Sequence, residues 1–75
     1  MKTIHTNDYK TLISWLTSQR LLAGLTQAQL AKELNRPQSF VSKFESAERR
    51  LDIIESIEIC RVLKLNPHTM IEVLL

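Results

Sequence analysis

The chain has 75 residues, of which 44% are hydrophobic, one cysteine and a formal net charge of +2 at pH 7. A chain of this length forms one domain and buries only about 60% of its unfolded surface, so its core must be small. A single cysteine excludes an intramolecular disulfide framework and a cysteine-rich zinc site. No apolar run approaches the roughly 20 residues of a membrane span, and no signal-peptide core lies in the N-terminal stretch MKTIHTNDYK.

The charge is unevenly distributed along the chain. Residues 1–50 carry eight Lys or Arg and four acids, a balance of +4, whereas residues 51–75 carry two and four, a balance of −2. The first part could bind a polyanion, but an ordinary solvated surface explains the same numbers, because net charge says nothing about fold.

The first predicted helix begins after one of three good N-cap residues, Thr6, Asn7 or Asp8. Its apolar stripe, at helical spacing, consists of Tyr9, Leu12, Ile13, Leu16 and Ala23. Gly24 is typical of the residue that ends a helix. Trp15 flanks the stripe, and we interpret it as a packing anchor rather than a ligand platform.

A second helix is predicted to start at a capping box formed by Thr26 and Gln29. Its apolar face consists of Leu30, Ala31 and Leu34. Asn35 tolerates a left-handed backbone, and Pro37 suits the first turn of a third helix. The pattern therefore predicts two short helices joined by a tight turn.

The third predicted helix points Val41 and Phe44 inward. Its outer face should carry Gln38, Ser39, Ser42 and Lys43, with Phe40 at the edge. This face has no acid before Glu45, as expected of a helix that enters the major groove, where amides, hydroxyls and cations reach base edges and acids would repel phosphates. The alternative is a polar exposed face with no binding role.

Asp52 can cap a fourth helix, whose inner face is predicted to be Ile53, Ile57, Cys60 and Leu63. We interpret Cys60 as a small core residue rather than a reactive thiol. Asn66 and Pro67 start a fifth helix. The chain then ends in a cluster that is too apolar to face one small core and suggests a partner surface, Met70, Ile71, Val73, Leu74 and Leu75.

The stretch LTQAQLAKELNRPQSFVSKFE resembles the helix-turn-helix of the Cro/phage-repressor family, also called XRE-type regulators. The resemblance covers about residues 12–70. It includes the Thr26-Gln27 entry to the second helix, the small residue Ala31 and the inner positions Val41 and Phe44. It implies an all-α, compact five-helix Cro/repressor-like bundle in which residues 1–75 form one DNA-binding domain. The helix-turn-helix would span about 26–45, and the C-terminal helix at about 67–75 would be a candidate dimer interface.

The resemblance also implies a role for individual residues. Bases would be contacted by Gln38, Ser39 and Lys43, with apolar contact from Phe40. Backbone phosphates would be held by Gln27, Arg36, Ser42, Arg49 and Arg50. Arg20 and Glu45 match a structural ion pair that bridges the first helix and the end of the third. The implied partners are double-stranded DNA and a second copy of the chain, with no cofactor and no metal.

Two positions depart from the family pattern. Pro37 stands where many relatives have a capping Ser or Thr, and Ala47 stands where relatives often have Gly. If residue 47 needs a positive φ, alanine there costs roughly 1 kcal/mol. The course of the following loop, and with it the aim of Arg49 and Arg50, depends on that residue.

The favoured function is a cytoplasmic, sequence-specific transcriptional regulator, a repressor that acts as a homodimer on a near-palindromic operator in a bacterial, phage or plasmid setting. The alternative is a protein-interaction module or antitoxin of the same fold, whose main partner is a toxin or an RNA polymerase subunit. An enzyme is disfavoured because His5, His68 and Cys60 have no catalytic partner at a meaningful spacing. Membrane binding is disfavoured because the last helix lacks a basic face.

Overall fold

The fold is a bundle of short helices in which the second and third are joined by a tight turn. The computed structural model describes residues 6–75. Within this range five helices follow one another, α1 (Asn7–Leu22), α2 (Gln27–Leu34), α3 (Gln38–Glu45), α4 (Ile53–Val62) and α5 (Pro67–Glu72). Helix α3 packs against α2 and α1, while α4 packs against α2 and α5. The predicted all-α five-helix architecture is confirmed.

Side-chain caps fix most of the helix starts. The side chains of Thr6, Thr26, Asp52 and Asn66 accept hydrogen bonds from the backbone N–H groups of Tyr9, Gln29, Glu55 and His68, respectively. Gln29 and Glu55 also reach back to the backbone N–H of their own N-cap residues, at 2.8 and 3.0 Å. Both helices thus begin with complete capping boxes, of which the one at Thr26 was predicted.

The turn between α2 and α3 is made by Asn35, which takes the left-handed conformation with φ +61°. The predicted place of Pro37 inside the third helix is wrong by one residue. Its ψ of 154° is extended, so it is the N-cap residue, and α3 begins at Gln38. Proline has no side-chain acceptor, and accordingly no side chain caps α3.

The core lies where α1, α2, α3 and α4 meet. It is formed by Ile13, Leu16, Leu30, Ala31, Phe40, Val41, Phe44, Leu51, Ile59, Cys60, Leu63 and Met70. Trp15 packs against its edge as predicted. Within the described residues, no helix combines the length and the apolar character needed to cross a membrane.

Two predicted core positions are wrong. Ala23 is exposed because α1 ends at Leu22, and Arg20 takes a buried position near the end of that helix. Ile53 is 60% exposed because it is the first residue of α4, and Ile59 is buried instead. Both errors lie at the ends of helices, where the helical spacing of apolar residues no longer decides which side is buried.

The apolar C-terminal segment divides between core and surface. Met70 is buried, with its sulfur 3.6 Å from that of Cys60, so its expected place on a partner surface is wrong. Cys60 is fully buried, as predicted for a core residue, and burial raises the pKa of its thiol. The exposed apolar residues at this end are Ile71, Leu74 and Leu75, and Val73 is half-buried.

Ala47 follows α3 with φ +62°, in the left-handed region that favours glycine. We expect Ala47→Gly to raise the free energy of unfolding by about 1 kcal/mol, because glycine adopts this φ without a Cβ clash. Urea denaturation measures the change. The matched control is Ala28→Gly at an exposed position inside α2, which should lower stability by about 1 kcal/mol. Destabilisation by both substitutions would contradict strain at residue 47.

Candidate nucleic-acid interface

The outer face of α3 is polar, accessible and free of acids. Gln38, Ser39 and Lys43 are exposed, and Ser42 is half-buried with its hydroxyl donating to the carbonyl of Ser39 at 3.3 Å. Val41 and Phe44, on the opposite side, are fully buried. The helix therefore presents an amide, a hydroxyl and an ammonium outward, which are the groups that pair with base edges and phosphates.

The only acid of α3, Glu45, is withdrawn from this face by an ion pair. Arg20 donates to both of its carboxylate oxygens, at 2.7 and 3.0 Å, and to the carbonyl of Leu25 at 2.7 Å. The side chains of Arg20 and Glu45 are only 10% and 6% exposed. The pair joins α1 to the end of α3, as the family resemblance implied.

Gln27, at the first position of α2, also binds Glu45. Its amide nitrogen donates to a Glu45 oxygen at 2.9 Å, and its side chain is half-buried. An amide nitrogen carries two N–H donors, and this hydrogen bond uses one of them. The contact holds Gln27 at the junction of α2 and α3, where a phosphate contact was predicted.

The predicted placement of Phe40 at the exposed edge of α3 is wrong. Its side chain is only 7% exposed and packs edge-on against Phe44, with ring centroids 5.6 Å apart. Residues 40 and 44 are one turn apart and share the inner side of the helix. The guanidinium groups of Arg36 and Arg49 lie over the Phe40 ring, at 4.6 and 5.0 Å from its centroid. Phe40 thus supports the arginines and is not an accessible group for base contact.

Arg36 and Arg49, both predicted to bind phosphate, are paired with acids of α4. Arg49 donates to the two carboxylate oxygens of Glu55 at 2.9 and 2.8 Å. Arg36 lies 3.2 Å from Glu58 and 3.7 Å from Glu55. The hydrogen bonds from Arg49 lower the pKa of the Glu55 carboxyl, which keeps it ionised. Arg50, next in the chain, is exposed.

An open notch of about 250 Å³ lies beside the outer face of α3. It is lined by Arg36, Pro37, Ser39, Phe40, Lys43 and Arg49. Three of these side chains are cationic and none is acidic. Ser39 and Lys43 of the outer face of α3 therefore lie on the same side of the molecule as two predicted phosphate ligands, Arg36 and Arg49.

Tyr9 holds the loop between α3 and α4 and was not predicted to do so. Its hydroxyl donates to the carbonyl of Arg49 at 3.3 Å and accepts from the N–H of Leu51 at 2.8 Å. Burial raises the pKa of this hydroxyl. In the sequence Tyr9 is one more member of an apolar stripe, so no local signal distinguishes this contact across 40 residues.

The comparisons with known proteins agree with this arrangement. A helix-turn-helix family model matches residues 16–69. The XRE-family like protein from Pseudomonas syringae pv. tomato str. DC3000 is 49% identical, with a TM-score of 0.88, and the match covers 97% of this chain and 89% of that one. No curated protein sequence matches significantly. The chain belongs to the XRE-type helix-turn-helix family, whose members are DNA-binding regulators and not enzymes.

Of the residues considered as catalytic candidates, those that the structure describes do not lie at the outer face of α3 or in the notch beside it. Cys60 is in the core and His68 is exposed in the first turn of α5. His5 lies outside the described residues. Among residues 6–75, no cluster of His, Cys, Asp and Glu has an arrangement that could hold a metal ion.

Proposed function

We propose that the protein is a sequence-specific repressor that binds a near-palindromic operator as a homodimer. The observation that supports this most strongly is the acid-free outer face of α3, exposed along Gln38, Ser39 and Lys43 while Val41 and Phe44 hold the helix on the core. Gln38 would pair with adenine, Lys43 would donate to guanine, and Ser39 would contact either. Repression would follow from occupying DNA that polymerase needs.

The proposal of a dimer rests on how little sequence one helix can read. A single recognition helix contacts only a few base pairs, which gives little discrimination in a genome of competing sites. Two copies related by a two-fold axis would read half-sites centred roughly 34 Å apart. The exposed apolar residues Ile71, Leu74 and Leu75, together with Val73, are the proposed contact between copies.

The apolar surface continues from α5 to the start of α4. Ile53 and Ile54 are 60% and 64% exposed, and a groove of about 230 Å³ between α1, α4 and α5 is lined mainly by apolar side chains. Arg50 and Asp52 stand at this groove. A two-fold axis can bring the cation of one copy to the acid of the other, since a self-complementary patch pairs residue i with j and j with i.

Selection of bound fragments from random DNA, followed by titration in increasing salt, tests the proposal. We expect an inverted repeat with half-sites about one helical turn apart, and log affinity that falls linearly with log salt, by ~0.9 for each phosphate neutralised. Fragments without symmetry would refute the dimeric operator. A flat salt response would refute groove binding altogether.

Two alanine variants separate base reading from phosphate binding. We expect Gln38→Ala to lose ~1–3 kcal/mol of discrimination between the selected site and random DNA, because a direct base contact is removed. Arg49→Ala should weaken both DNAs similarly and reduce the salt slope by ~1, because Arg49 lines the notch beside the outer face of α3. Fluorescence anisotropy on both DNAs measures the split. Equal losses on the two DNAs for both variants would contradict the assigned roles.

A second function is favoured by the same exposed apolar surface at α4 and α5. A protein-interaction module or antitoxin would use it to bind a toxin or a polymerase subunit. The oligomeric state and the DNA binding of the purified protein distinguish the two functions. A monomer at micromolar concentration that binds DNA only weakly and without sequence preference would favour the interaction module, whereas a dimer that selects an operator supports the repressor.

A further inference from the structure

Glu55 is the centre of a charged cluster that joins α4 to the α2–α3 turn and to the loop after α3. Its side chain is only 8% exposed. One oxygen accepts from Arg49 and from the backbone N–H of Asp52, at 2.9 and 3.0 Å, and the other accepts from Arg49 at 2.8 Å, with Arg36 at 3.7 Å. The carboxylate therefore belongs to the capping box of α4 and also holds two arginines from elsewhere in the chain.

The arginines are held in a defined place by this cluster. The planar fork of Arg49 meets the carboxylate with two hydrogen bonds, a geometry that fixes the orientation of the guanidinium group. Arg49 and Arg36 also stack on the buried ring of Phe40. The side chain of Arg49 remains 42% exposed and that of Arg36 34% exposed, so both stay accessible to solvent.

These two arginines form part of the notch beside α3, together with Ser39 and Lys43. Its volume of about 250 Å³ accommodates a phosphate group, and its cationic lining favours an anion. Because Ser39 and Lys43 are also proposed to face bases, an anion in the notch would be a phosphate of the same DNA that α3 reads.

We propose that Glu55 is a positioning residue for DNA binding, which holds Arg49 and Arg36 against Phe40 so that the notch beside α3 accepts a backbone phosphate. This inference rests on the proposed function. Under this proposal Glu55, a buried acid of α4, favours the binding of a polyanion. Orientation of the arginines outweighs the repulsion between the carboxylate and the phosphate.

Glu58 provides a matched control one turn further along α4. It carries the same charge, its side chain is 41% exposed, and it pairs with Arg36 at 3.2 Å. Glu55→Gln and Glu58→Gln each raise the formal net charge by one unit, so net charge alone predicts tighter DNA binding for both. In Glu55→Gln the new amide oxygen can still accept from the N–H of Asp52, because glutamine is also suited to the capping box.

The test measures affinity for the selected operator and its salt dependence for the wild-type protein and both variants. We expect Glu55→Gln to bind about tenfold more weakly, as for the loss of one charged hydrogen-bonded contact, with a salt slope smaller by ~1. Glu58→Gln should bind as tightly as the wild type or more tightly, because Arg36 is released toward phosphate. Tighter binding by both variants would overturn the positioning role.

A second variant keeps the test informative if Glu55→Gln does not fold. Arg49→Lys keeps the charge but loses the two-pronged contact with Glu55, so it should lower affinity and salt slope in the same direction. Wild-type affinity in Arg49→Lys would overturn the proposal. If the wild-type protein itself shows no salt-dependent DNA binding, the proposed function fails, whereas wild-type binding with unaffected variants refutes only the role of Glu55.

Discussion

Replacing Arg20 with methionine is expected to lower the free energy of unfolding by about 3–5 kcal/mol. The substitution keeps much of the side-chain volume but leaves Glu45, whose side chain is 6% exposed, without its buried counter-charge. It also leaves the carbonyl of Leu25 without the donor now at 2.7 Å. A loss of this size is a large fraction of the total stability of a small domain, so urea denaturation should show it clearly.

Two further variants isolate the cause. Arg61→Met removes the same kind of side chain from an exposed position in α4 and should change stability by no more than about 0.5 kcal/mol. The double variant Arg20→Met/Glu45→Leu removes both charges and should be more stable than Arg20→Met alone, since no unpaired charge stays buried. If Arg20→Met were as mild as Arg61→Met, the ion pair would not hold α1 to α3.

Phe40→Ala is expected to lower the free energy of unfolding by about 3 kcal/mol, near the lower end for a buried phenylalanine. The substitution empties the space beside Phe44 and removes the ring on which two guanidinium groups stack, each stack being worth about 0.5–1 kcal/mol. Thermal or urea unfolding measures the loss.

This prediction distinguishes a core residue from a residue that only contacts DNA. Lys43→Ala, on the exposed face of the same helix, is the control and should change stability by less than about 0.5 kcal/mol. Unchanged stability in Phe40→Ala would mean that the ring belongs to the outer face. The two arginines would then lack the platform on which the role of Glu55 depends.

Local signals in the sequence predicted the parts of the fold that depend on neighbouring residues. The capping box at Thr26, the left-handed Asn35 and the start of α5 at Asn66-Pro67 each need only a few adjacent side chains. The sequence raised a positive φ at Ala47 only as a condition, because relatives often have glycine there, and the structure has φ +62° at this residue. The outer face of α3 was also predictable, because exposed and buried sides alternate with helical period.

Contacts between distant segments could not be predicted in the same way. Phe40 was wrongly assigned to the edge, although its four-residue spacing from the inward-pointing Phe44 indicates the inner side. The stacking of Arg36 and Arg49 on its ring joins separate segments and could not be predicted. The bond from Tyr9 to the loop at Leu51 and the gathering of arginines by Glu55 depend on tertiary packing. Asp52 and Glu55 do have capping-box spacing, so the sequence held a signal for the cap but not for its second role.

Three features of the fold form the proposed DNA interface. The α2–α3 corner sets the recognition helix on the core, the Arg20–Glu45 pair removes its only acid from the outer face, and Glu55 and Tyr9 order the cationic loop beside it. All of these contacts are made within the chain itself and do not require DNA. Preorganisation of this kind reduces the loss of side-chain freedom on binding.

An NMR titration can map the DNA-contacting surface on the protein itself. Uniformly ¹⁵N-labelled protein would be titrated with the selected operator, and backbone amide shifts would be followed by NMR. If the outer face of α3 enters the groove, we expect the largest changes at residues 38–43, with further changes near Gln27 and in the loop at 47–50. Changes confined to α4 and α5, with residues 38–43 unaffected, would contradict it.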